Sequence, residues 1–133
     1  MSLQQTTEQR RAARAWSNIS AIKGQDYEGR YGAVAKKFPA LVLTNGLGQA
    51  LAFLRAKNKP QHRAFYKHVS SWVTAQTYGI EGDDKLLERL IGAAPGYESS
   101  SDIYRRATTE TLAFINWLKR FAEAELEIEE GED

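Results

Sequence analysis

Apolar residues recur through this sequence at the three- and four-residue spacing of an α-helix, which restricts the chain to a helical fold. In residues 7–23, for example, Ala15, Ile19 and Ile22 follow that spacing along one side. No stretch alternates apolar and polar residues as a half-buried strand does, and no internal repeat is evident. Because 133 residues suffice for one core, we predict an all-α fold, a single compact five- or six-helix bundle-like domain. The further helical segments are predicted at residues 26–37, 39–57, 60–78, 83–92 and 101–126.

Capping residues and prolines predict where these helices begin and end. The predicted N-terminal caps are, in chain order, Thr6 or Thr7, the Asp83-Asp84 pair, and Ser101 or Asp102. Pro39 predicts that the second segment stops before it and that another helix starts there. Shared helical stripes predict one core that contains Trp16, Leu51, Leu54, Trp72, Leu118 and Phe121.

The stretch LTNGLGQALAFLRAK, residues 43–57, places Asn45-Gly46 inside one of the most apolar parts of the chain. Asn-Gly can form a β-hairpin turn, but the residues after it have helical periodicity and good helix propensity. A dinucleotide-binding loop is discarded because Leu51 stands where the third glycine belongs and no strand-helix-strand unit surrounds it. We therefore predict a helix that is bent or restarted at Asn45-Gly46.

Two explanations of that break remain open from the sequence. Asn45, Gln49, Ala52 and Ala56 share one narrow helical stripe, where small and amide side chains would let something large approach the backbone. Alternatively, the glycines only let neighbouring helices pack closely. The spacing fits both explanations equally well.

The net charge of +1 hides a strong asymmetry along the chain. Residues 123–133 contain seven acidic residues and no basic one, so residues 1–122 carry a net charge of +8. We predict a helical domain over residues 1–122, followed in 123–133 by the end of the last helix and an acidic C-terminal tail. A basic body of this kind is typical of proteins that bind polyanions, although a solvated surface with clustered charges is the alternative.

Two predicted helices carry pairs of basic residues one turn apart, Arg10 with Arg14 and Arg63 with Lys67. Each pair projects opposite the apolar side of its helix, and like charges at that spacing cost stability, which favours a function. The candidate nucleic-acid-binding residues are Arg10, Arg14, Lys36, Lys37, Asn45, Gln49, Arg55, Lys57, Arg63 and Lys67.

No motif for catalysis, metal or cofactor binding is found. The chain has no Cys, which excludes thiol chemistry, and His62 and His68 lie about 240° apart around one helix, which favours packing or surface roles. No apolar window approaches the roughly 20 residues of a membrane span. We expect a non-enzymatic, cytoplasmic protein with no cofactor, no bound metal and no membrane partner.

Three stretches carry a family pattern: RRAARAW at 10–16, KKFPALVLTNGLGQALAFLRAKNK at 36–59, and LAFINWLKRFAEAEL at 112–126. The pattern in the middle stretch is a basic pair, Leu or Phe followed by Pro, an apolar triplet, Asn-Gly-Leu, Gln, Leu-Ala-Phe-Leu and a closing Lys. The residues that fit are Lys37, Phe38, Pro39, Asn45, Gly46, Leu47, Gln49, Leu51, Ala52, Phe53, Leu54 and Lys57. This pattern resembles the small subunit of the Cmr complex, the type III-B CRISPR effector.

The resemblance implies a compact all-α subunit without catalytic activity. Its expected partners are other Cmr subunits, further copies of itself in a head-to-tail stack, and the crRNA and target RNA. The acidic tail is not part of the family pattern. The alternative is a helical scaffold or adaptor subunit that contacts only proteins, with its basic face against acidic surfaces of its neighbours.

Overall fold

The structure, a computed structural model, describes residues 4–97 and 99–129. Within these residues it is helical with no strand, which confirms the predicted all-α fold. The helices are α1 (Thr7–Ile22), α2 (Glu28–Asn45), α3 (Leu47–Lys57), α4 (Pro60–Tyr78), α5 (Leu86–Ile91) and α6 (Ser101–Glu125). The long helix α6 contacts α1, α2 and α4, and the short α5 covers α3 and α4.

The helix starts agree with the predicted caps in one case of three. Thr6 caps α1 in a capping box: its hydroxyl accepts from the Gln9 amide at 3.0 Å, and its own amide donates to Gln9 Oε1 at 2.8 Å. The cap of α6 is Ser100, one residue before the predicted position, and its hydroxyl accepts from the Ile103 amide at 3.1 Å. The prediction that Asp83-Asp84 caps α5 is wrong because that helix starts at Leu86 without a side-chain cap.

The prediction that a helix ends before Pro39 is also wrong. Helix α2 continues through Pro39 to Asn45, although proline removes the hydrogen bond to the Ala35 carbonyl group. Phe38, Pro39 and Val42 are buried against the rest of the molecule. This packing holds the helix together across a residue that would break it in isolation.

The predicted break at Asn45-Gly46 is confirmed. Gly46 has a φ of 88°, ends α2 and begins α3. Two residues later, the Gly48 amide donates a 2.6 Å hydrogen bond to the Tyr104 hydroxyl of α6, and a Cβ on Gly48 would lie 3.1 Å from that oxygen. The close approach of Tyr104 supports the packing explanation for Gly48, while Asn45 and Gln49 are exposed.

One hydrophobic core lies between the helices. Leu51, Leu54, Trp72 and Leu118 are buried in it as predicted, and Phe121 is partly buried. The prediction for Trp16 is wrong: it is 48% exposed and meets Phe121 edge-on, with ring centroids 5.2 Å apart. A helical stripe shows which residues share a side, but the edge of that stripe can still face water.

After α6 the chain folds back onto α2. Leu126 is buried in the core, and residues 127–129 lie along the first turns of α2. We call residues 126–129 the C-terminal strap.

Candidate nucleic-acid interface

The end of α3, the first half of α4 and the turn before α5 enclose a recess with a volume of about 320 Å³. Four of its lining residues are cationic and one is acidic, which gives the recess a positive excess. We call it the basic recess; its lining residues are Leu54, Arg55, Asn58, Arg63, Tyr66, Lys67, Asp84 and Lys85.

Arg55 is held at the wall of the recess by partners on two other helices. Its guanidinium donates to Glu88 Oε1 at 3.1 Å and to the Tyr66 hydroxyl at 3.4 Å, and it lies 5.3 Å from the centre of the Tyr66 ring. The hydrogen bond to Glu88 raises the pKa of Arg55. Burial raises the pKa of Tyr66, whose hydroxyl also accepts from the Leu87 amide at 3.2 Å. This guanidinium is therefore oriented in advance.

Arg63 lies at the first turn of α4, where the backbone leaves α3. Asn58 ends α3 in the left-handed conformation, with a φ of 52°, and its carbonyl oxygen accepts a hydrogen bond from Arg63 Nη1. The tether fixes one end of the guanidinium and leaves the side chain exposed. Among the residues that the structure describes, neither Arg63 nor Lys67 has an acidic partner, so both charges are available to a ligand.

Lys85 is a recess residue that the sequence analysis missed. Its ammonium group lies 3.8 Å from Asp84, an exposed carboxylate at the rim. The neighbouring Asp83 is occupied elsewhere: it accepts from Arg89 Nε at 2.9 Å and from the Lys85 amide at 3.1 Å. The Arg89 hydrogen bond lowers the pKa of Asp83. In the sequence, Lys85 directly follows Asp83 and Asp84, so the segment gives no sign of a basic surface.

His68 follows Lys67 on α4 and is mostly buried against α2. The Tyr31 hydroxyl lies 2.8 Å from His68 Nδ1, and burial lowers the pKa of His68 to about 4, with the positive charges of Lys67 and Arg14 acting in the same direction. The imidazole is therefore neutral near pH 7. This agrees with the expected packing role, as does the complete burial of His62 beside Phe53.

The prediction that Arg14 projects into solvent is wrong. It is half-buried, and its guanidinium lies 5.3 Å from the ring centre of Trp72, a cation–π contact between α1 and α4. Arg10, on the same helix, is exposed and donates to the Gln5 carbonyl oxygen at 3.0 Å. The two arginines are therefore not an equivalent pair.

A second hollow, of about 310 Å³, lies between α2 and α3 and is mostly apolar. Lys37 and Asn45 are on its wall with Leu41 and Phe53, and Lys57 lies 5.6 Å from the Phe53 ring centre. We call this the apolar hollow.

The remaining candidate residues lie apart from both cavities. Gln49 lines a shallow hollow beside Tyr104 and Ile91, and Lys36 is half-buried on α2. The structure thus brings Arg55, Arg63 and Lys67 together with Lys85 and places Lys37, Asn45 and Lys57 at the apolar hollow. In residues 4–97 and 99–129, no three metal-ligating side chains form a group that could hold an ion. None of the described helices is both long and apolar enough to cross a membrane.

The family model for CRISPR-associated protein (Cas_Cmr5) matches residues 7–125, nearly the whole chain. The chain belongs to the Cmr5 family. A Cmr5 relative from Thermus thermophilus, the CRISPR system Cmr subunit Cmr5, is 37% identical over 117 residues, which cover 87% of this chain and 92% of the relative.

A solved structure shows the same fold. The X-ray crystal structure of a CRISPR-associated Cmr5 family protein from Thermus thermophilus superposes with a TM-score of 0.74 at 35% sequence identity. The match covers 93% of this chain and all of that one. The Cmr5 family model contains every residue of the basic recess and ends at Glu125, where α6 ends and the strap follows.

Proposed function

We propose that this Cmr5 family protein is the non-catalytic small subunit of a type III-B CRISPR RNA-guided effector complex and contacts crRNA or target RNA through the basic recess. The observation that carries the proposal is the recess itself, where four cations surround one cavity and two of them have no acidic partner in the described residues. The proposed setting is a cytoplasmic antiviral complex built with other Cmr subunits, and membership of the Cmr5 family supports it.

The recess suits recognition of an RNA backbone rather than of bases. Lys67 and Lys85 offer mobile point charges, whereas Arg55 and Arg63 present guanidiniums that internal hydrogen bonds orient. Such groups bind phosphate oxygens whatever the sequence. Base pairing between guide and target would carry the sequence recognition, and this subunit would respond to backbone charge and shape.

Salt dependence of RNA binding by the isolated protein tests this role. If the four recess cations contact phosphates, the logarithm of the binding constant should fall against the logarithm of salt with a slope near −2.8, at about −0.7 per phosphate on a single strand. Fluorescence anisotropy with a labelled oligouridine measures it. A flat salt dependence contradicts the role.

The apolar hollow favours a second contact, with protein. Its lining forms an apolar surface that a neighbouring subunit or the next copy in a head-to-tail stack would cover. Asn45→Ala, which changes the wall of the hollow, should remove the subunit from complexes examined by native mass spectrometry. RNA binding by the isolated variant should be unchanged, and a variant that assembles at full stoichiometry would contradict the stacking contact.

A further inference from the structure

The acidic tail begins as a docked segment. The Glu127 amide donates to Glu28 Oε2 at 2.9 Å, and the Glu129 amide donates to the Gly29 carbonyl oxygen at 3.1 Å. Between them, the Ile128 side chain lies directly on Gly32. The Glu127 hydrogen bond lowers the pKa of Glu28, so the acceptor is ionised at neutral pH. The strap is thus fixed by backbone hydrogen bonds and by an apolar contact.

Helix α2 is shaped to receive the strap. A glycine inside a helix is less stable than an alanine by about 0.5–1 kcal/mol, yet α2 has Gly29 and Gly32 one turn apart. A Cβ on Gly29 would lie 2.8 Å from the Glu127 carbonyl oxygen and 2.7 Å from Glu129 Cγ, and one on Gly32 would lie 2.6 Å from Ile128 Cγ1. Both glycines are therefore required for the strap to lie this close.

On the strap side of the molecule, two basic residues each have an acidic partner. Arg30 Nη1 lies 3.7 Å from Glu129, and Lys23 Nζ lies 3.5 Å from Glu125, the last residue of α6. The contrast with Arg63 and Lys67 in the recess is direct. Glu125 and Glu129 are thus placed where they can neutralise these two cations.

The strap and the basic recess face opposite directions. Phe65 of α4 packs against Tyr31 of α2, with ring centroids 5.5 Å apart. Arg63 and Lys67 are each two residues from Phe65, so they lie about 200° around α4 from its contact with α2. Gly29 is two residues from Tyr31 and lies about 200° around α2 from the same contact. An RNA strand in the recess therefore runs on the side of α4 away from the strap.

We propose that the strap, together with Glu125 at the end of α6, is an internal polyanion mimic that masks a second RNA-binding surface, formed by Lys23 and Arg30. The carboxylates of Glu125 and Glu129 occupy the positions that phosphates would take. The strap directly follows the range that the family model matches. Its effect is to make the protein bind RNA on one side only, which rests on the proposed role of the recess.

The test compares the full-length protein with a strapless variant, in which residues 127–133 are deleted and Glu125→Gln is introduced. Leu126 stays, so the core is intact. Freeing two cations should strengthen binding of a labelled oligouridine by about 25-fold at about 0.1 M salt, since each phosphate contact contributes about fivefold there, and should steepen the salt slope by about 1.4. Lysine acetylation read by mass spectrometry should show Lys23 protected by the RNA in the strapless variant and reactive in the full-length protein.

Gly29→Ala in the full-length chain is the matched control, because it lifts the strap without changing the charge. Arg30 should then be free of Glu129 while Glu125 stays paired with Lys23, so RNA binding should strengthen by about fivefold at about 0.1 M salt. Unchanged Lys23 reactivity in the strapless variant, or an unchanged affinity in Gly29→Ala, would overturn the proposal. Failure of the recess role has a different signature: Lys67 and Lys85 would stay reactive in every protein, while Lys23 protection in the strapless variant would still support the masked surface.

Discussion

The basic recess and the strap side of α2 contain the same kinds of basic residue but differ in how these residues are paired with acidic ones. In the recess, Arg63 and Lys67 have no acidic partner in the described part of the chain, whereas Arg30 and Lys23 on the strap side are paired with Glu129 and Glu125. The two sides are separated only by the α2–α4 contact around Phe65. If the recess binds RNA as proposed, the placement of the acidic residues, more than the number of basic ones, decides which surface attracts a polyanion.

The largest expected effect comes from the core that both sides share. Leu51 is fully buried, and Leu51→Ala should lower the free energy of unfolding by about 2–5 kcal/mol through the cavity it leaves. Urea denaturation followed by circular dichroism measures the loss. Leu43→Ala, at a position that is 73% exposed, is the control and should change stability by no more than about 0.5 kcal/mol. Similar losses of stability in both variants would contradict the burial of Leu51 in the core.

Acidification should act at the boundary between the two sides, where His68 meets Tyr31. The pKa of His68 is about 4 in the folded protein and 6.5 in the unfolded chain, so between these values the unfolded state binds the extra proton. Stability should therefore fall as the pH drops from 6.5 towards 4, by up to about 3 kcal/mol at 1.36 kcal/mol per pH unit. Urea titrations over this range measure the slope.

His68→Gln removes the titrating group at that boundary. The variant should lack the loss of stability that protonation of His68 causes in the parent. Over the same pH range, its free energy of unfolding should therefore fall less than that of the parent, with a difference of up to about 3 kcal/mol. Identical pH dependence in the parent and the variant would contradict the buried, neutral state of His68.

The smallest expected effect concerns the anchor of the strap. Glu28→Gln replaces a carboxylate that accepts hydrogen bonds from the Gly24 and Glu127 amides, both at 2.9 Å, and should cost about 1 kcal/mol or less. Faster hydrogen exchange at the Glu127 and Glu129 amides would report the loosened strap. Glu81→Gln, at an exposed turn residue, is the control. Equal exchange at these amides in both variants would contradict the anchoring role of Glu28.

Local signals in the sequence predicted the helical segments well. They placed the boundary between the second and third segments incorrectly, at Pro39. The capping residue Thr6 and the Asn45-Gly46 break act within a few residues, so the sequence contains what is needed to predict them. Pro39 is different because burial of Phe38 and Val42 outweighs its local preference. That effect depends on helices far away in the chain.

The candidate site was partly predictable for the same reason. Helical projection assigned Arg63 and Lys67 to an outward-facing side, but it could not bring Lys85 to them from a segment that begins with two aspartates. The acidic run at 123–133 predicted the end of the last helix and an acidic tail without indicating where that tail lies, whereas residues 127–129 are docked on α2. The signal for docking was present in Gly29 and Gly32, which α2 would not need as a freely exposed helix.

The most direct test of the account compares two double substitutions that remove the same charge from opposite sides. At about 0.1 M salt, Arg63→Ala with Lys67→Ala should weaken RNA binding by the isolated full-length protein by about 25-fold and reduce the magnitude of the salt slope by about 1.4. Lys23→Ala with Arg30→Ala, on the side that the strap covers, should change the affinity by no more than about twofold. Equal losses from the two pairs would contradict the claim that the basic recess is the RNA-binding surface.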